Sequence, residues 1–101
     1  MSLMGAEVEE KLRALGFSPS LYGMSLDIGN LAIKATDGPM LMISLTQVGS
    51  RTMCSYDVRC PRSASKEQIA GLIYMNVRMN FGEAAELCKA HIQALGIPLF
   101  Q

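Results

Sequence analysis

At 101 residues, half of them apolar and 18% charged, with a formal net charge of zero, the chain has the material for one modest core. That balance excludes a disordered segment or a strongly charged arm, and apolar runs such as Met40 to Ile43 fall far short of the ~18 residues of a membrane-crossing helix. Three cysteines, Cys54, Cys60 and Cys88, form neither a CxxC pair nor an even set, which predicts reduced thiols in a cytosolic setting.

The opening Met1-Ser2-Leu3 lacks the basic-then-apolar order of a signal peptide. A first helix is expected from about Gly5 to Leu15, where Met4, Val8, Leu12 and Leu15 recur at helical spacing. Glu7 to Lys11 and Glu9 to Arg13 add i, i+4 pairs on its outer side. Gly16 stops it, with Phe17 placed to fold back onto Leu12 in a Schellman cap, and Ser18-Pro19-Ser20 forbids continuation.

From Met24 the period changes to two. Met24, Leu26 and Ile28 alternate with polar residues, and after Gly29-Asn30 the apolar set moves to Leu31, Ile33 and Ala35. A two-residue hairpin at Gly29-Asn30, pairing Ile28 with Leu31 and Leu26 with Ile33, keeps all of them on one face; a bulged single strand is the rival reading. A second two-residue turn at Gly49-Ser50 would pair Leu45 with Cys54, Ile43 with Tyr56 and Leu41 with Val58. On the opposite face it would set Ser44 against Ser55 and Met42 against Asp57. Between the hairpins, a tight Asp37-Gly38 turn would bring Ile33 opposite Met42 on the wrong face. The expectation is therefore a five-residue connection, Thr36 to Met40, closed by Ala35 and Leu41.

Pro61 ends the sheet, and Ser65 with Gln68 forms a capping box for the next helix. Ala70, Tyr74, Val77, Phe81, Ala84, Cys88, His91 and Leu95 recur at steps of three and four, which predicts one long helix. Gly82 interrupts it at a cost of roughly 1 kcal/mol relative to Ala, so Asn80-Phe81-Gly82 is the place where it would break in two. Gly96 and Pro98 end it.

The fold expected over residues 1–101 is a single α+β domain. It comprises an N-terminal helix, an antiparallel meander of three to four strands in sequential order, and a long C-terminal helix across the Leu41, Ile43, Leu45, Tyr56 face. In outline, a helix, a meander and a long helix with apolar surface to spare resembles the first half of small secretion-chaperone folds. Such folds add strands after their second helix, whereas here Pro98-Leu99-Phe100-Gln101 follows, and no functional residue carries over.

Reactive centres are sparse. Cys88 and His91 share a helix face, as zinc ligands can, but two further ligands are missing. The same pair would serve nucleophilic catalysis only if a thiolate formed beside the single histidine, while a histidine near a helix C-terminus ordinarily meets the last carbonyls. Asp27, Asp37 and Asp57 sit on a polar strand face, in a turn and beside Arg59, where solvation or ion pairing accounts for them. Arg51, Arg59, Arg62 and Lys66 form one basic cluster without stacking aromatics, which suits a solvated sheet edge better than a nucleic-acid site.

Methionine is the more unusual signal. Met40, Met42 and Met53 are expected on the sheet face opposite the core, and Met75 and Met79 one turn apart on a helix side away from the packing stripe. Such side chains suit an interface with a second copy or a client peptide, unless the helices cover opposite sheet faces and bury them. Asn76 and Asn80, also one turn apart, would fix register in a dimer if buried there.

A non-enzymatic protein-interaction or homodimerisation module therefore ranks first, with no catalytic residue, cofactor or metal assigned. A small-molecule or enzyme site in a pocket lined by Cys54, Tyr56, Cys88 and His91, between sheet and C-terminal helix, is the alternative. Weak nucleic-acid binding through Arg51, Arg59, Arg62 and Lys66 comes third.

Overall fold

A computed structural model describes residues 4–21, 23–49 and 55–99. In chain order the elements are α1 (Ala6–Ala14), β1 (Ser18–Ser20), β2 (Gly23–Ile28), β3 (Leu31–Thr36), β4 (Leu41–Gln47), β5 (Ser55–Cys60), α2 (Lys66–Asn80), a 3₁₀ turn (Gly82–Ala84) and α3 (Ala85–Ala94). The strands form one antiparallel sheet in the order β1-β2-β3-β4-β5. This is the α+β arrangement that the periodicities predict.

The caps behave as their residue types dictate. Gly16 takes φ +97°, and the Phe17 and Gly16 amides donate to the Leu12 and Arg13 carbonyls, both at 3.0 Å, completing a Schellman motif. At α2 the Ser65 hydroxyl accepts from the Gln68 amide at 3.1 Å while the Gln68 side chain accepts from the Ser65 amide at 2.8 Å.

The Gly29-Asn30 hairpin has the expected register, Ile28 opposite Leu31 and Leu26 opposite Ile33. Gly29 lies at φ +59° and Asn30 does not share the left-handed region, which is the pattern of a type II′ turn.

Four expectations need correction. The sheet has five strands, because Ser18-Pro19-Ser20 does more than stop a helix: it pairs with β2 as a short edge strand, the position where proline is tolerated. Between β3 and β4 the odd-length connection is kept but slides by one residue, pairing Ala35 with Ile43 and Thr36 with Met42. Between β4 and β5 the pairing slips by two, setting Leu45 against Tyr56, Ile43 against Val58 and Leu41 against Cys60. A slip of two keeps every side chain on its face, so alternation alone is blind to it. The register expected from the sequence would have set Cys60 opposite Pro39, which has no N–H for the ladder. The two-residue turn expected at Gly49-Ser50 falls partly on positions outside the described residues.

The fourth correction concerns the long helix, which breaks at Phe81, where φ −136° and ψ 57° leave the helical region. An unbroken helix over residues 66–94 would reach about 43 Å at ~1.5 Å per residue, whereas the molecule's longest dimension is 35 Å. Breaking lets α2 lie against β5 and α3 turn back along β2. Phe81 stays buried through the bend, its ring edge-on to Tyr56 with centroids 5.5 Å apart.

All three helices contribute to one core on a single face of the sheet. Leu12, Leu31, Ile33, Leu41, Ile43, Leu45, Ile69, Val77 and Cys88 are among its buried members. The other face carries Ser25, Ala32, Lys34, Met42, Ser44, Thr46, Asp57 and Arg59, none of them buried, and no described element covers it. The reading in which two helices cover opposite sheet faces therefore does not hold among the described residues.

Candidate functional site

Helix α2 divides its residues by face. Ile69, Ala70, Ile73, Tyr74 and Val77 point into the core, and the outer side is left to Glu67, Gly71, Met75, Arg78 and Met79. Gly96, at φ +80°, turns the chain after α3 so that Ile97 is buried and Pro98 and Leu99 run beside α2. Between tail and helix lies an open groove of about 720 Å³, with Tyr74 and Leu99 among its apolar lining and Glu67 and Arg78 among its charged groups. A second groove of about 440 Å³ runs along the other flank past Pro61, Ala64 and Leu72. Met75 lines both grooves, so it stands on the ridge between them. Met75 and Met79 are 55% and 75% exposed. No described residue covers either of them.

The other methionines are dispersed. Met42 lies partly covered on the open sheet face, opposite Thr36 on one side and Arg59 on the other, in polar company. Met40 is exposed in the connection before β4, and Met53 lies outside the described residues. The open face is thus mainly polar; Leu21, Val48, Leu87 and Leu95 are exposed singly elsewhere, whereas Met75 and Met79 are exposed together beside a groove.

Asn76 and Asn80 spend their amide donors on their own helix, Asn76 Nδ2 on the Leu72 carbonyl at 2.8 Å and Asn80 Nδ2 on the Asn76 carbonyl at 3.1 Å. Such bonds commit one amide N–H of each side chain to its own helix and leave the carbonyl oxygen and the second N–H.

Of the four residues expected to share a pocket, Cys54 lies outside the described residues. Tyr56 is on the core face at the β5 edge, half exposed beside Phe81. Cys88 is fully buried, and desolvation pushes its thiol up to about 11. Burial likewise raises the Cys60 thiol, partly offset by the charge of Lys11. His91 turns away toward α1, placing Nε2 at 2.9 Å from the Leu15 carbonyl oxygen; since a carbonyl only accepts, that nitrogen carries the proton. It lines a small apolar recess with Leu15, Phe17, Leu26 and Ile92, to which neither Cys88 nor Tyr56 contributes. No group of three or more His, Cys, Asp or Glu side chains converges among the described residues.

The basic cluster is partly committed to structure. Arg62 Nε and Nη2 donate to Asp37 Oδ1 and Oδ2 at 2.7 and 2.9 Å, and the Gly5 amide donates to Oδ2 at 2.9 Å. Burial on its own would raise the Asp37 carboxyl, but the hydrogen bonds from Gly5, Arg62 and Gly38 and the Arg62 charge prevail and hold it below its ordinary value. Lys11 Nζ donates to the Arg62 and Ala64 carbonyls at 2.8 and 2.7 Å. Together these bonds tie α1 to the β3–β4 connection and to the segment that launches α2. Arg59 and Lys66 remain exposed, and Arg51 lies outside the described residues.

No protein-family model, curated protein or solved structure matches this chain. No described helix is long and apolar enough to cross a membrane. Two parts of the α2 site escape the apolar pattern: the Pro98-Leu99 wall, which follows the last helix, and Gly71, a poor helix former in mid-helix, which was the available signal.

Proposed function

We propose that the chain is a non-enzymatic protein-interaction module that acts as a homodimer, docking through the outer face of α2. The observation that carries this reading is the pair Met75 and Met79, exposed one turn apart beside an open, largely apolar groove. A zero net charge supports it, because two copies approach without long-range repulsion. The buried, protonated thiols of Cys60 and Cys88 suit a reducing, cytosolic environment.

Light scattering on the intact chain at micromolar concentration tests the proposal. The expected mass is twice the 11.0 kDa of one copy, and a mass of one copy would count against self-association.

A further inference from the structure

Four residues of α2 form a single stripe. Glu67, Gly71, Met75 and Arg78 follow one another at spacings of four, four and three, and at about 100° per residue they fall within roughly 40° of Gly71 on either side. Glycine disfavours a helix interior, so its presence as the sixth residue of a fifteen-residue helix calls for a reason. The described residues supply none, since among them a Cβ added at Gly71 would meet nothing within 4 Å. What a missing side chain provides here is room for something arriving from outside. Met75 one turn away is a projecting side chain of the right kind to fill it, and the stripe ends in opposite charges, Glu67 at the N-terminal end and Arg78 about 16 Å further along.

We infer that two copies pair α2 against α2 in antiparallel orientation about a two-fold axis near position 73, seating each Met75 over the partner's Gly71 and bringing each Glu67 to the partner's Arg78. This geometry rests on the self-association proposed above and specifies it. A two-fold axis perpendicular to the helices pairs the patch with itself in antiparallel sense, so every contact occurs twice. The apolar pair sits at the centre and the charged pair at the rim, the usual anatomy of a protein interface. A parallel pairing would instead put Glu67 beside Glu67 and Arg78 beside Arg78, which charge repulsion opposes.

Charge exchange tests the arrangement. Glu67→Arg and Arg78→Glu alone should each weaken dimerisation by about tenfold or more, as like charges then meet twice across the axis, and the double variant should recover most of the loss. Gly71→Ala separates folding from docking. At concentrations dilute enough for the monomer it should raise the melting temperature by roughly 4–8 °C, because alanine favours the helix and meets no neighbour. In sedimentation velocity at higher concentration the same variant should dimerise more weakly than the parent. A parent that dimerises while both single charge variants dimerise equally well would overturn the antiparallel α2 geometry and leave self-association standing. A monomeric parent would overturn both.

Discussion

His91 on α3 donates from Nε2 to the carbonyl oxygen of Leu15, the C-cap of α1, at 2.9 Å across 76 positions of sequence. The bond satisfies a carbonyl that the end of α1 leaves over and pins the last helix to the first. It also explains why the only histidine serves structure here: the nitrogen that reaches out is committed to a backbone acceptor. His91→Leu, which keeps the bulk and removes the donor, should cost about 1 kcal/mol in urea denaturation. Gly16→Ala should cost about 1–2 kcal/mol, since it forces a side chain at φ +97° and would place Cβ 3.0 Å from His91 Nε2. Unchanged midpoints for both would contradict the assignment.

The Asp37 clamp predicts a dependence on pH. Its carboxyl is held below the ordinary value of 3.8, so the folded state favours the ionised form. The stabilisation is complete above about pH 5 and is lost as pH falls through the lowered folded value. Asp37→Asn should therefore cost about 1–2 kcal/mol at pH 7, with the gap to the parent closing in acid below about pH 4. Denaturation curves at several pH values give the comparison; a gap constant down to pH 2 would contradict it.

Cys60 and Cys88 should resist alkylation in the native protein. Both are fully buried with raised thiols, and at pH 8 a thiol pushed up to about 11 holds almost no thiolate. Mass spectrometry of iodoacetamide-treated protein should show these two sites labelled only as denaturant opens the fold. Prompt labelling of Cys88 in native buffer would contradict its burial and revive it as a nucleophile.

How much of this was legible in the sequence depends on which physical rule governs each part. Local rules read well: the Gly16 Schellman cap, the Ser65–Gln68 capping box and the Gly29-Asn30 hairpin each follow from side chains within a few positions. Alternation fixed the faces of β4 and β5 but not their register, because Leu41 opposite Val58 and Leu41 opposite Cys60 satisfy it equally; the unsuitability of Pro39 as a partner breaks the tie. Gly82 marked where a bend could fall, but not that the helix takes it, because that decision is global. A helix outgrowing the sheet beneath it has to turn, and the three-four periodicity continues through the bend, so that Phe81, Ala84 and Cys88 all stay buried. At the candidate site, Met75 and Met79 stood out by type and spacing, while the groove wall at Pro98-Leu99 depends on how the tail folds back.

The central claim is that the outer face of α2 receives a second copy of the chain. Sedimentation equilibrium of the parent beside Met75→Lys tests it most directly, because Met75 is exposed enough for lysine to leave the fold intact. The parent is predicted to sediment as two copies of 11.0 kDa and the variant, with an unchanged circular-dichroism spectrum, as one. A parent of one copy, or a variant that dimerises as well as the parent, would contradict it.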